Sequence, residues 1–287
     1  MTKDIVRAPF TWYGGKSRHL HFILPNLPET KHYCEPFGGS AAVLLARTPA
    51  PIETYNDIDS EIVNFFRVLR EYPDEIERLT MLTPYAREEY NQFGADDGLS
   101  ELERARRFFF RSASAYSGRP RGTTFAISKA ESRVGMSDRV SRYFSGVERL
   151  QEIALRLLRV QIENMDALEL IRKYDTPETL FYCDPPYSMR ARVAGYCYTH
   201  EIDDKYHRKL AKVLNSAEGR VCISGYRCDL YDDLYDGWTR VDGQVNRISE
   251  RKSERQEILW MNYDPNTARK VTIVQRVVQK TLLEESV

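Results

Sequence analysis

The chain has 287 residues, 42% of them hydrophobic, and 42 Lys and Arg balance 42 Asp and Glu to give a formal net charge of zero. That length and apolar content predict a folded protein, and no run approaches the roughly 18 apolar residues of a membrane span, so an intracellular protein is expected. Five cysteines, Cys34, Cys183, Cys197, Cys222 and Cys228, form no CxxC pair, which excludes a disulfide framework or zinc cluster and predicts reduced thiols.

In chain order, residues 31–36 read as a short strand entering a glycine-bearing turn, and residues 40–47 as the helix that follows. Residues 52–55 form a second strand ending at Asn56-Asp57-Ile58-Asp59, after which Ile62, Phe65, Phe66 and Leu69 recur at helical spacing. From Tyr72 the strand signals vanish. Helices are predicted over 73–81, 86–93 and 102–111, broken by Gly94 and Gly98. Residues 112–137 read as loops or a hairpin, and Ser137 is expected to cap one long amphipathic helix over 138–158. Strands then return at 159–162, 179–183, 221–224, 238–245 and 256–262, with helices over 165–174 and 203–214 between them and a possible extra strand at 270–278. Strands alternating with helices on both sides of a helical stretch predict a doubly wound, Rossmann-like α/β sheet from residues 1–61 and 159–287, with a mainly helical domain, residues 62–158, inserted into it.

Charge is distributed unevenly along the insert. Residues 57–101 carry 12 Asp and Glu against 4 Lys and Arg, and residues 104–142 carry 10 Lys and Arg against 2 Asp and Glu. The basic run, with Tyr116, Phe125 and glycines beside it, is expected to present a nucleic-acid-facing surface rather than only a solvated helix face.

Asp184-Pro185-Pro186-Tyr187 follows the apolar strand 179–183 and so falls at a strand's carboxyl end, where open α/β sheets place their ligands. Such a tetrapeptide suits methylation of a planar amine. The lone pair of an exocyclic amine is delocalised into its ring, and an Asp carboxylate with a rigid backbone carbonyl can accept both amino protons as the nitrogen pyramidalises. Two prolines stiffen the turn, and the aromatic residue offers a face to an extruded base. A strand-ending turn with no catalytic role has the same local pattern.

Three further segments carry a resemblance. Phe10-Thr11-Trp12-Tyr13-Gly14-Gly15-Lys16, Glu35-Pro36-Phe37-Gly38-Gly39-Ser40 and Asn56-Asp57-Ile58-Asp59, followed by Asp184 to Tyr187, stand in the order seen in the Dam-like, D12-class DNA adenine N6-methyltransferases of the α group, which this sequence resembles over most of its length. The resemblance implies S-adenosyl-L-methionine as cofactor, held by Trp12, Tyr13, Lys16, Glu35, Pro36, Phe37, Gly39, Asp57, Asp166 and Asp184. Lys16 would lie near the methionine carboxylate, Asp57 would accept the ribose hydroxyls and Asp166 would lie close to the adenine ring. Asp57 and Asp166 also fit helix N-caps. Asp184, Pro185, Pro186 and Tyr187 would be catalytic, and residues 62–158 the target-recognition domain. The stretch Tyr116-Ser117-Gly118-Arg119-Pro120-Arg121 departs from the family's hairpin, so a GATC target does not carry over, although Tyr116, Ser117, Arg119 and Arg121 could reach bases or phosphates. Ala41, where many relatives have a glycine, is expected to be tolerated at a helix start.

The expected activity is therefore methyl transfer to adenine N6 in double-stranded DNA after base flipping, by a monomer needing no metal and no membrane, in a bacterial or phage-infected cell. Methylation of cytosine N4, RNA or a glutamine amide poses the same chemical problem. A non-catalytic DNA-binding protein on this fold is the rival of another class. A dinucleotide oxidoreductase ranks last, since no GxGxxG turn follows the first strand.

Overall fold

Short aliphatic and aromatic runs supply the strands, and polar caps mark where the longer helices begin. The computed structural model describes residues 5–94, 98–118, 122–132, 135–188, 201–247 and 254–267. The chain starts with α1 (Leu20–Ile23), β1 (His32–Glu35), α2 (Ala42–Ala46), β2 (Ile52–Asn56) and α3 (Ser60–Glu71). A helical stretch follows, with α4 (Pro73–Leu82), α5 (Arg87–Asn91), α6 (Glu101–Ser114), α7 (Asp138–Val147) and α8 (Leu150–Leu157). Then come β3 (Val160–Glu163), α9 (Ala167–Tyr174), β4 (Thr179–Cys183), α10 (Asp204–Asn215), β5 (Arg220–Tyr226), α11 (Asp229–Leu234), β6 (Thr239–Arg247) and β7 (Glu254–Met261).

Among the described residues the strands form one seven-stranded sheet in the order β3-β2-β1-β4-β5-β7-β6. β1 to β5 run parallel, and β7 lies antiparallel between β5 and β6. Both faces of the sheet are covered, which is why β4 reads as an unbroken apolar run and is buried at every position. Alternate residues point to opposite faces: Tyr33, Leu180, Tyr182 and Leu259 enter one core, and Cys34, Phe181, Cys183 and Trp260 the other. The second core is closed by α9, α10 and α11. The first continues from the sheet through α2, α3 and the helical stretch without interruption, so the expected boundary at residue 62 falls inside α3.

Local chemistry explains the longest helix starts. Asp59 accepts from the Glu61 N–H at the head of α3, and Ser100 accepts from the Glu103 N–H at the head of α6, an S-x-x-E start. Phe65 of α3 stacks on Phe109 of α6 with ring centroids 5.7 Å apart. Phe10 meets Phe65, Phe108 and Phe109 edge-on at 5.5, 5.7 and 6.1 Å, which seats the amino-terminal segment on both helices.

Several expectations are corrected or qualified. The single helix over 138–158 is two helices, α7 and α8, divided at Glu148 and Arg149. Ser137 makes no capping bond to α7; its hydroxyl donates to the Ser128 carbonyl at 3.2 Å. The start of the basic run is spent internally: Arg104 pairs with Glu61, Arg106 with Glu89 at 2.8 Å and Glu103 at 2.7 Å, and Arg107 with Glu103 at 2.9 Å. Two of these pairs, Arg104 with Glu61 and Arg106 with Glu89, join the acidic segment to the basic one across α3, α5 and α6. Ala41 is also not helical. It stands at φ 56° and ψ 26°, in the left-handed region that favours glycine, just before α2 begins. Cys34, Cys183, Cys222 and Cys228 are free thiols, as expected, while Cys197 and residues 270–278 lie outside the described residues.

Candidate active site

The chain runs outward from β1 to β2 and β3, then returns to the other side of β1 as β4. This switch point opens a crevice at the carboxyl ends of the strands, and a cavity of about 320 Å³ lies there. Its size is at the lower end of the range of about 300–1,000 Å³ common for small-molecule sites. All ten residues singled out for cofactor binding line it: Trp12, Tyr13 and Lys16 before β1; Glu35, Pro36, Phe37 and Gly39 at the end of β1 and its turn; Asp57 after β2; Asp166 after β3; Asp184 after β4.

The turn after β1 is fixed by its neighbours. The Gly38 N–H donates to the Asn56 carbonyl at 2.7 Å, and the Tyr55 hydroxyl donates to the Gly39 carbonyl at 2.7 Å. A Cβ on Gly38 would stand 2.2 Å from the Tyr55 ring, so the backbone approaches β2 as only glycine permits. Gly39, at φ 47°, faces Trp12, whose indole would lie 3.0 Å from an added Cβ. Asp57 holds this turn from the other side: its Oδ2 accepts from the Gly39 N–H at 2.8 Å and its Oδ1 from the Asp59 N–H at 2.9 Å. The capping of α3 falls to Asp59. Asp166 takes the N-cap role considered for it and is also a cavity residue. It caps α9 by accepting from the Leu168 N–H at 2.9 Å, takes the Tyr206 hydroxyl at 2.9 Å, and still lines the cavity.

Asp184 is held by charge. Lys16 Nζ lies 2.7 Å from its Oδ1, donates to the Gly14 carbonyl at 2.8 Å, and lies 3.6 Å from Glu257 Oε1. Ser224 Oγ donates to the same Asp184 Oδ1 at 2.9 Å. Burial pulls the Lys16 ammonium down, but the Asp184 and Glu257 carboxylates outweigh it and hold Lys16 above its ordinary value. Tyr187 donates its hydroxyl to Glu257, lies beneath Lys16 at 4.8 Å from the ring centroid, and meets Tyr226 edge-on at 4.7 Å. Burial pushes the Glu257 carboxyl up, against the pull of Lys16. Glu35, 2% exposed, accepts from the Tyr33 hydroxyl at 2.6 Å, and burial pushes its carboxyl up to about 8.

Of the four tetrapeptide residues, Asp184 and Pro186 line the cavity; Pro185 and the buried Tyr187 do not. Of the residues expected to meet nucleic acid, Tyr116 does not line the cavity. Tyr116 is exposed in a short turn, Tyr116–Gly118, that also holds Ser117, while Arg119 and Arg121 lie outside the described residues. Ser224, Tyr206 and Glu257 escaped the sequence reading. Only Glu257 leaves a trace there, as a charged residue at the head of the apolar run Ile258-Leu259-Trp260-Met261. Among the described residues no cluster of His, Cys, Asp and Glu is arranged as a metal site, and no helix is long and apolar enough to cross a membrane.

Residues 12–252 match the family described as D12 class N6 adenine-specific DNA methyltransferase. The chain is 26% identical over 279 residues to the type II methyltransferase M1.LlaDCHI of Lactococcus lactis subsp. cremoris, covering 89% of this chain and 95% of that one. It is 25% identical to the type II methyltransferase M.MjaIII of Methanocaldococcus jannaschii, covering 90% and 99%, and 26% identical to the retron Ec67 DNA adenine methylase of Escherichia coli, covering 89% and 93%.

Proposed function

The chain belongs to the D12 class N6 adenine-specific DNA methyltransferases, and from that premise we propose that it takes the methyl group from S-adenosyl-L-methionine and places it on an adenine flipped out of double-stranded DNA against Asp184. One observation carries the reading: the Asp184 carboxylate, oriented by Lys16 and Ser224, forms a wall of the same cavity as Trp12, Gly39, Asp57 and Asp166.

The residues present fit the cofactor. At the cavity wall the glycine turn packs its backbone directly on the Trp12 indole, an approach that a Cβ at Gly39 would block. Asp57 and Asp166 are the acceptors a nucleoside's hydroxyls and ring amine require. When bound, S-adenosyl-L-methionine supplies an electrophilic methyl on a sulfonium. Asp57 and Asp184 stand two strands apart in the sheet order, roughly 10 Å at the spacing of neighbouring strands, so a ligand held by the first can present its far end to the second.

Asp184 and the turn behind it receive the amine. Its Oδ1 is taken by Lys16 and Ser224, which leaves Oδ2 to accept one N6 proton. Pro185 and Pro186 have no N–H, so the turn offers the amine carbonyl acceptors and no competing donors. Accepting both protons localises the N6 lone pair, and an acceptor already oriented by Lys16 and Ser224 leaves little reorganisation for the transfer. Residues 62–158 act as the recognition domain, with Tyr116, Ser117, Arg119 and Arg121 reaching the DNA.

The test is transfer of labelled methyl from S-adenosyl-L-methionine to DNA from a host lacking adenine methylation, with single-molecule sequencing to locate the modified base. Asp184→Ala should lower turnover by about a thousandfold or more in protein that still folds, with part of the melting temperature lost because the buried Lys16 ammonium keeps only Glu257 as counter-charge. Near-normal turnover in that variant overturns the assignment.

A further inference from the structure

Glu257 does not line the cavity, yet it closes the network around Asp184. It lies on β7, in register with Tyr226 of β5, and is 2% exposed. Its Oε1 accepts the Tyr187 hydroxyl and lies 3.6 Å from Lys16 Nζ, while the same ammonium lies 2.7 Å from Asp184 Oδ1. The first and fourth residues of the tetrapeptide are thereby tied to each other through one lysine near the amino terminus and one glutamate on the antiparallel strand. Burying two carboxylates around a single ammonium is costly, and apolar side chains of similar volume would fill this space at a lower desolvation cost. What the charged arrangement provides is direction: it aims a carboxylate and fixes an aromatic ring that would otherwise be held at its edge by Tyr226.

We propose that Glu257 is a positioning residue for methyl transfer: it anchors Tyr187 through the hydroxyl and steadies Lys16 so that the Asp184 carboxylate keeps one orientation. Glu257 itself touches neither DNA nor cofactor. The proposal rests on the reading of Asp184 as acceptor of the adenine amine. A misplacement of about 1 Å at such an acceptor costs up to about a hundredfold in rate, and Glu257 acts through that sensitivity.

The experiment compares the full-length protein with Glu257→Gln, Tyr187→Phe, the double variant and Asp184→Ala, using labelled S-adenosyl-L-methionine and DNA from a host lacking adenine methylation. Glu257→Gln should lower kcat by about 10-fold to 100-fold while KM for S-adenosyl-L-methionine stays within about twofold, a split that a loss of general packing does not produce. Tyr187→Phe should reproduce much of that loss. The double variant should lose less than the product of the two single losses, because both changes act on the same Tyr187–Glu257–Lys16 chain: Gln still accepts the Tyr187 hydroxyl but lacks the charge that strengthens that bond and holds Lys16. Turnover of Glu257→Gln within about twofold of the unmodified protein, or losses that multiply in the double variant, overturn the proposal. Should Glu257→Gln fail to fold, Tyr187→Phe decides alone, and full turnover from it has the same consequence. Asp184→Ala separates the two claims: normal turnover there removes the acceptor reading, whereas a dead Asp184→Ala beside a normal Glu257→Gln removes only the positioning role.

Discussion

Replacing Glu35 with Gln should flatten the pH dependence of stability on the alkaline side. Glu35 is buried at the end of β1, accepts the Tyr33 hydroxyl at 2.6 Å, and has its carboxyl pushed up to about 8 from 4.5 by burial. The folded protein therefore keeps the Glu35 proton over a range in which the unfolded chain has released it. Stability from this group is complete below about pH 4.5 and is lost as the pH rises through about 8. At about 1.4 kcal/mol for each pH unit between those values, the loss between pH 5 and pH 9 is at most about 4 kcal/mol. If relaxation and water entry absorb half of it, about 2 kcal/mol remains, or about 4–8 °C in melting temperature for a chain of this size. Gln keeps the shape and the acceptor for Tyr33 but does not titrate. Thermal melts of both proteins at half-unit pH steps should thus show Glu35→Gln gaining on the unmodified protein steadily from pH 5 to pH 9 and levelling off above. Parallel curves across that range refute the reasoning.

Three other outcomes follow from the geometry. Gly38→Ala drives a methyl to within 2.2 Å of the Tyr55 ring, itself fully buried against Phe66, and should cost about 3 kcal/mol or prevent folding; a melting temperature within 2 °C, well below the shift such a cost implies, contradicts the close approach. Arg156→Met removes the two-pronged partner of Glu53, whose oxygens lie 2.5 and 2.8 Å from the guanidinium, and leaves that fully buried carboxylate only the Ala50 N–H at 3.1 Å and the more distant Arg47 and Arg159 at 3.6 and 3.9 Å. Chemical denaturation should register about 3 kcal/mol lost, most of it recovered by adding Glu53→Gln; no recovery would mean the charge is not the cause. Asp57→Ala should weaken S-adenosyl-L-methionine binding by about 10-fold to 100-fold in calorimetry and leave turnover at saturation much less affected. An unchanged affinity would remove Asp57 from the cofactor site.

The order of elements and the strand ends that build the site were legible in the sequence because each rests on local signals. The apolar run 179–183 ends where β4 does, and the residues after it stand where the switch point needs them. The division between α7 and α8 was not legible. Tyr143, Val147, Leu150, Ile153, Ala154 and Leu157 stay on one buried stripe across the break, so periodicity sees a single helix. The pairing of the acidic and basic segments was hidden for a different reason: Glu61 and Arg104 are 43 positions apart, and only the packing of α3 on α6 joins them. Ser224 and Glu257 reach Asp184 through sheet order, with β5 beside β4 and β7 beside β5, and no window of sequence contains that adjacency. Ala41 shows the opposite limit. Composition suggested an ordinary helix start, and the backbone instead turns left-handed there.

The Tyr116–Gly118 turn bears on how this protein could be re-engineered. The Gly118 carbonyl accepts from the Tyr13 N–H at 3.1 Å, and a Cβ on Gly118 would fall 2.4 Å from the Thr11 carbonyl oxygen. Gly146 of α7 presses on the Pro9 carbonyl in the same way, at 2.6 Å. A chimera that exchanged residues 62–158 alone for those of a relative would sever these main-chain contacts beside Trp12. The transplant must therefore carry residues 9–13 with it, or select donors that have a glycine at both contact points.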